Sequence, residues 1–139
     1  MLDPSIKALA STGKNFGTVS VHMPNGDIAT NVMWVDADDD HIMFNTEVHR
    51  HKYKALQDNP QVTVLVWPAG NPYGFGEVRG TVVETITGPD ARAHIDHLSR
   101  RYTGGDYANP IQSERVIVKV APDRQRFGGR AWTGPTPNS

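Results

Sequence analysis

The stretch FGTVSVHMPNGDIATNVMWV, residues 16–35, decides the fold class, because apolar side chains recur in it at every second position. Val19 and Val21 would share one face of a strand, and the polar residues between and beside them would share the other. Asn25-Gly26 lies between two such runs, and both residue types tolerate the positive φ of a tight hairpin turn. The stretch therefore predicts an antiparallel β-hairpin whose return strand covers residues 28–35.

The rest of the chain alternates short strands with two or three helices. Gly76 and Gly80 mark bends in a long strand, as expected where a sheet curls. The pattern favours an α+β fold that is mainly β, a six-stranded antiparallel barrel with helices at its side, over a doubly wound sheet. Further strands are predicted at residues 41–46, 61–67, 73–86 and 115–122, and helices at 3–11, 50–58 and 89–102.

Composition bounds the class of protein. The 139 residues suffice for one domain, expected over residues 1–127, with a Pro-rich tail over 128–139. Fourteen Lys and Arg against 15 Asp and Glu argue against a nucleic-acid-coating protein, and the absence of cysteine excludes disulfides and thiolate metal sites. The sequence shows neither an apolar leader nor a membrane span, so we expect a cytoplasmic protein without nucleic-acid or membrane partners.

A cluster of positive charge follows the third predicted strand. His49, Arg50, His51, Lys52 and Lys54 fall within six residues where a strand passes into a helix. The first turn of a helix offers unpaired N–H groups and a partial positive charge, so Arg and Lys there predict a site for phosphate or carboxylate. A solvated helix face is an equal alternative from spacing alone. Cations at a helix start oppose the helix dipole, however, which favours a bound anion.

Other candidates for chemistry are weaker. His94 and His97 lie three residues apart on a predicted helix, but no third ligand has a fixed relation to them, so we expect no metal site. No sequence motif of a nucleophile elbow, a Walker loop or a dinucleotide fold is present. Trp34 and Trp67 are interpreted as core or interface residues. Trp132 lies in the segment that begins at Asp123 and also holds Arg124, Arg126 and Arg130, and it predicts docking onto a partner subunit.

The order of these motifs resembles a known family. A hairpin is followed by a strand ending in NT, a basic helix closing on DNPQV, an apolar strand, NPY, a long strand with EVRG, a helix, and YTGGDY before a final strand. This order is similar to the pyridoxamine-5′-phosphate-oxidase-like split β-barrel superfamily. It resembles most the branch that uses the deazaflavin coenzyme F420, the flavin/deazaflavin oxidoreductases of type B.

The resemblance implies a homodimer with cofactor sites at its interface. The cofactor phosphate would lie at Arg50 and Lys52, and the tricyclic ring against the second strand. Lys54, Arg79 and the tail arginines are candidates for contacts with the acidic tail of the coenzyme. The residues implied for cofactor binding are Asn31, Val32, Met33, Asn45, Thr46, His49, Arg50 and Lys52, with Tyr73, Phe75 and Trp132 from the partner chain.

The implied activity is hydride transfer from reduced coenzyme F420 to a small, planar, unsaturated substrate. No catalytic side chain is needed, because the cofactor carries the chemistry and the protein supplies anchoring and orientation. Two alternatives stay open. One is an FMN-dependent reductase or oxidase of the same family, and the other is a non-catalytic carrier of a cofactor or ligand on the same fold.

Overall fold

The computed structural model describes residues 1–134. One antiparallel sheet of seven strands carries three helices, which confirms the predicted mainly β barrel. The helices are α1 (Pro4–Ser11), α2 (His51–Asp58) and α3 (Pro89–Thr103). The strands are β1 (Phe16–His22), β2 (Ile28–Met33), β3 (Val35–Ala37), β4 (Ile42–Glu47), β5 (Gln61–Trp67), β6 (Gly76–Ile86) and β7 (Arg115–Phe127).

The strand count is seven, not the predicted six, because residues 28–35 do not form one strand. In the order β2-β1-β5-β6-β7-β4-β3, the two outermost strands are consecutive in the chain, and Trp34 alone separates them. The sheet therefore curls until its two edges meet at Trp34. Gly17 on β1 lets this seam close, since a Cβ at that position would lie 2.6 Å from Val35 Cγ1.

The predicted hairpin is confirmed. β1 and β2 pair from Gly17 opposite Met33 to His22 opposite Ile28. The connection is longer than a two-residue turn: Met23 N–H donates to the Asp27 carbonyl at 2.8 Å, and only Gly26 takes a positive φ, of +91°. β5 lies between β1 and β6, as its largely apolar sequence predicted.

The last strand is longer than predicted. β7 pairs with β6 as far as Phe127, so Arg124 and Arg126 belong to the sheet and not to a tail. The sequence does not predict the part of β7 beyond Pro122, because proline lacks the N–H that a strand needs. It is tolerated here because it lies opposite Gly80, where the register of the two strands shifts.

The helices cover the sheet on two sides. Ile6 and Ala10 of α1 are fully buried in the main core, which fills the curl of the sheet. A second, smaller cluster joins Met43 of β4 to Ala91 of α3. Every residue of β4 is consequently buried, with Phe44 facing the main core and Met43 facing α3. This double burial places the polar end of β4 beneath α3, where the candidate site is built.

Candidate functional site

One cleft of about 330 Å³ opens where the end of β4, the start of α2, the seam at Trp34 and α3 come together. The structure brings seven of the sequence-predicted site residues to its walls. They come from three separate segments, which the curl of the sheet places side by side. The seven are Asn31, Val32, Met33, Asn45, Thr46, Arg50 and Lys52.

The cleft is rich in positive charge. Three cations, Arg50, Lys52 and Arg115, line it, and Glu47 is the carboxylate that faces them among the described residues. Arg50 Nη2 lies 3.5 Å from Glu47 Oε2, and Arg115 Nη1 lies 3.7 Å from the same oxygen. With one negative charge against three positive charges, the site has a surplus of two. Such a surplus suits a phosphate or a polycarboxylate.

Of the three cations that line the cleft, Lys52 is the one without a counter-charge in residues 1–134. Its Nζ contacts Met33 Sδ at 3.6 Å, and it makes no ion pair with any described acidic residue. Burial, followed by repulsion from the Arg50 guanidinium, lowers the pKa of Lys52 to about 8. The ammonium group is therefore held in an unfavourable environment that a bound anion would relieve.

Glu47 organises the wall of the cleft. Its side chain is 2% exposed, and its Oε1 accepts backbone N–H bonds from Gln112 at 2.7 Å and Ser113 at 2.9 Å. Burial works against ionisation, but these two bonds and the Arg115 charge outweigh it, and the pKa of Glu47 lies below its usual value. An ionised Glu47 thus ties the loop after α3 to the end of β4.

Arg115 reaches the cleft floor from the first position of β7. Its Nε donates to Asn45 Oδ1 at 2.8 Å, and its Nη2 donates to the Asn45 backbone carbonyl at 3.3 Å. The Tyr107 ring lies 5.1 Å from the Arg115 guanidinium carbon. Because Arg115 is only 6% exposed, these contacts fix the guanidinium rather than leaving it to sample solvent.

An aromatic wall faces the polar floor. The Trp34 ring stacks on Tyr102 with centroids 5.4 Å apart and an interplanar angle of 7°. Tyr107 meets the same indole edge-on at 6.3 Å. Trp34 and Tyr107 line the cleft, while the Tyr102 hydroxyl donates to the Asn15 carbonyl and holds the stack in place. A rigid aromatic surface of this kind suits a planar ring.

Four predicted site residues lie outside the cleft. His49 is exposed, and its Nδ1 lies 2.6 Å from Ser113 Oγ. Tyr73 is 83% exposed on the loop before β6. Phe75 contacts the guanidinium of Arg126 at 5.3 Å. Trp132 packs on its own sheet, so none of the four is joined to the other predicted residues within one chain.

Trp132 is the centre of an arginine cluster. The guanidinium carbons of Arg79, Arg124 and Arg126 lie 4.4, 4.8 and 4.7 Å from its ring. The segment after β7 turns back to hold it, since Thr133 and Gln125 exchange two backbone hydrogen bonds. Residues 135–139 of the predicted tail lie outside the described residues.

Sequence reasoning missed six residues that line the cleft. Arg115 offered a signal, because a charged residue opens an otherwise apolar strand. The sequence indicates core or interface packing for Trp34, and its position in the cleft depends on the break between β2 and β3. The other four come from α3 and the loop after it, which no local pattern places beside β4: Ile95, Leu98, Tyr107 and Asn109.

The paired histidines of α3 take different roles. His94 engages both ring nitrogens, with Nε2 at 3.0 Å from Asp36 Oδ2 and Nδ1 at 3.1 Å from Asn45 Nδ2. His97 is exposed, with its ring stacked 6.4 Å from that of His94. Within residues 1–134 no three potential metal ligands come together. No helix among these residues is long and apolar enough to cross a membrane.

The curled antiparallel sheet, with a cationic cleft beside an aromatic wall, is a split barrel with a candidate ligand site. The chain belongs to the pyridoxamine 5′-phosphate oxidase family, whose sequence profile matches residues 2–127. This confirms the superfamily indicated by the sequence, and it makes the fold that of a flavin- or deazaflavin-type oxidoreductase. No curated protein sequence matches the chain.

Solved structures support the same assignment. An F420 reductase is 29% identical, with a TM-score of 0.75, and the match covers 90% of this chain and 98% of that one. Two others show the fold alone. General stress protein 26 from Bacillus anthracis is 18% identical, with a TM-score of 0.69 and coverage of 94% and 96%. A conserved hypothetical protein from Mycobacterium tuberculosis is 22% identical, with a TM-score of 0.64 and coverage of 94% and 87%.

Proposed function

We propose that the cleft binds coenzyme F420 and that the protein is an oxidoreductase that passes a hydride from the reduced coenzyme to a small, planar, unsaturated substrate. One observation carries the proposal: Lys52 is a half-buried cation without an acidic partner in the described residues, and it stands beside Arg50 in a cleft with an aromatic wall. The likeness to an F420 reductase supports the choice of coenzyme.

The residues present fit a phosphorylated, planar cofactor. Arg50 and Lys52 would bind the phosphate, with Thr46 and the first N–H groups of α2 beside them. The N-cap of α2 makes no side-chain hydrogen bond, so those N–H groups are available to a ligand. The ring would lie against Val32 and Met33.

The chemistry requires little from the side chains themselves. When bound, the deazaflavin supplies the hydride, since a carbon replaces the reactive nitrogen of a flavin. The protein orients the ring, excludes water and leaves one face of it open to the substrate. Trp34 and Tyr107 offer planar surfaces at that opening. We also propose that the protein is a homodimer, in which Tyr73, Phe75 and Trp132 of a second copy close the pocket.

FMN is the second candidate, because the charge balance of the cleft favours it. Arg50, Lys52 and Arg115 exceed Glu47 by two positive charges. A phosphate monoester such as that of FMN carries about −1.5 to −2 at neutral pH, which matches this surplus. The phosphodiester of coenzyme F420 carries a single charge, so its carboxylates would have to supply the rest.

The deciding experiment is a pair of titrations, one with coenzyme F420 and one with FMN, followed by tryptophan fluorescence. Trp34 lines the cleft, whereas Trp67 packs against Phe16 with ring centroids 5.9 Å apart. Quenching by a ligand in the cleft should therefore be reduced in Trp34→Phe and retained in Trp67→Phe. Tighter binding of coenzyme F420 supports the proposal, and tighter binding of FMN supports the alternative.

A second assay separates an enzyme from a carrier. Reduced coenzyme F420 should be oxidised when a planar unsaturated acceptor is added, and the rate should depend on the protein. Tight binding without turnover across a broad panel of acceptors would indicate a non-catalytic carrier. Binding of neither cofactor would contradict the proposed function altogether.

A further inference from the structure

A chain of buried polar side chains runs beneath α3 to the floor of the cleft. It begins at Asp36 on β3, passes through His94 on α3 and Asn45 on β4, and ends at Arg115 on β7. Asn45 is 4% exposed and Arg115 is 6% exposed, and both line the cleft. His94 does not line the cleft, but it contacts Asn45. Asn45 accepts hydrogen bonds from Arg115 at both its side-chain oxygen and its backbone carbonyl.

The orientation of the Asn45 amide follows from hydrogen-bond chemistry. A guanidinium can only donate, so the Asn45 atom at 2.8 Å from Arg115 Nε must be the oxygen. The amide nitrogen therefore points the other way, where it donates to the Ala91 carbonyl at 3.0 Å. Its second proton points at His94 Nδ1, 3.1 Å away.

The same logic fixes the state of the His94 ring. Because Nδ1 accepts a hydrogen bond from the Asn45 amide, it must itself be unprotonated. Nε2 then carries the ring proton, and this N–H donates a hydrogen bond to Asp36 Oδ2 at 3.0 Å. Asp36 suits this role, since bonds from His94 and the Ala37 N–H outweigh its burial and keep the pKa of its carboxyl below the usual value. A different tautomer would set two N–H groups against each other.

We infer that His94 is a positioning residue. Its Nδ1 lone pair accepts a hydrogen bond from Asn45 and so fixes the orientation of the Asn45 amide. The fixed Asn45 in turn holds the Arg115 guanidinium in the position in which it faces the bound cofactor. The inference rests on the proposed function for its effect on cofactor binding. The hydrogen-bond pattern that it assigns to the free protein can be tested without any cofactor.

Two substitutions of His94 separate positioning from simple anchoring of α3. Asparagine places an acceptor where Nδ1 stands and loses the contact with Asp36, whereas glutamine places a donor where Nε2 stands and loses the contact with Asn45. His94→Asn should therefore bind the cofactor within twofold of the wild type, and His94→Gln about fivefold more weakly, the effect of one neutral hydrogen bond. His97→Gln, on the same helix but exposed, is the matched control and should bind as the wild type does.

The opposite ranking, with His94→Asn weak and His94→Gln normal, would show that His94 only anchors α3 to Asp36, and it would overturn the inference. Equal affinities in all variants would overturn it as well.

NMR of the free protein tests the inference even where neither FMN nor coenzyme F420 binds. Long-range ¹H–¹⁵N correlations should show His94 protonated at Nε2 alone, and one Asn45 amide proton should lose its protection in His94→Gln but keep it in His94→Asn. Protonation at Nδ1 would contradict the assignment.

Discussion

At the scale of single residues, Lys52 is held in a position that is unfavourable until an anion arrives. Its ammonium group contacts a thioether, and burial and Arg50 depress its pKa. We expect Lys52→Met to weaken cofactor binding by roughly 1.5–3 kcal/mol, the scale of a charge-assisted hydrogen bond. Fluorescence titration measures this loss. Lys14→Met is the control, because Lys14 is exposed and does not line the cleft. Equal affinities in the two variants would remove Lys52 from the site.

The same lysine gives the free protein a specific pH dependence. Its pKa is about 8 in the folded chain and 10.5 ordinarily, so between these values the unfolded chain binds more protons. The free energy of unfolding therefore rises with pH across this window, by on the order of 2 kcal/mol. Urea unfolding near pH 7 and near pH 10 should show this rise in the wild type relative to Lys52→Met, which lacks the group. A rise of the same size in both proteins would contradict the assigned pKa.

Residues with a strong local signal were predictable, and those placed by distant contacts were not. Arg50 and Lys52 stand out in the sequence because cations at a helix start are unfavourable on their own. Arg115 enters the cleft only because β7 pairs with β4. Trp34 continues the alternating pattern of the strand before it. Nothing in the neighbouring sequence indicates that the chain passes at Trp34 from one edge strand of the sheet, β2, to the other, β3.

At the scale of elements, the loop between α3 and β7 depends on one buried carboxylate. Glu47 accepts the N–H groups of Gln112 and Ser113 and balances Arg115. We expect Glu47→Gln to lower the free energy of unfolding by about 3 kcal/mol, because it leaves Arg115 buried without a counter-charge. Urea unfolding measures the change. Asp106→Asn, which removes an exposed ion pair with Arg100, is the control and should change stability by less than about 1 kcal/mol.

The bend in β6 provides a second element-level prediction. Gly80 faces Pro122 where the register with β7 shifts, and a Cβ there would lie 2.3 Å from the Ala121 carbonyl oxygen. Gly80→Ala should therefore destabilise the protein by about 2–3 kcal/mol through overpacking. Gly70→Ala is the control, since no atom lies within 4 Å of a Cβ at that position. Similar melting temperatures for both variants would show that the strands shift without strain.

Elements defined by local sequence were predicted well. The hairpin and α2 follow from alternation, a turn signal and a proline stop. α2 begins one residue later than expected, and the hairpin pairs as expected although its return strand ends two residues early, at Met33. β3 has three residues, too few to carry a pattern of their own. The far half of β7 carries arginines and a proline, and it is a strand because β6 is long enough to pair with it.

At the scale of the whole molecule, the cleft is open along β2. Val32 lines it and is still 69% exposed, and Ile28 on the same strand is 64% exposed. Apolar side chains left on an outer strand favour a covering partner. Together with the family resemblance, they lead us to predict a homodimer in which the second copy closes the cleft, so that cofactor binding and dimerisation are linked.

This linkage can be measured with one substitution. Ile28→Glu places a charge on the exposed apolar face of β2 without entering the cleft, so we expect it to shift the protein towards the monomer in analytical ultracentrifugation and to weaken cofactor binding in the same samples. Added cofactor should restore the dimer of the wild type at dilutions where it dissociates, because a ligand that binds the dimer stabilises it. Ala69→Glu puts the same charge on an exposed loop and should change neither property. A wild-type chain that sediments as a monomer while binding the cofactor at full strength would show that one copy completes its own site, and Tyr73, Phe75 and Trp132 would then have no part in it.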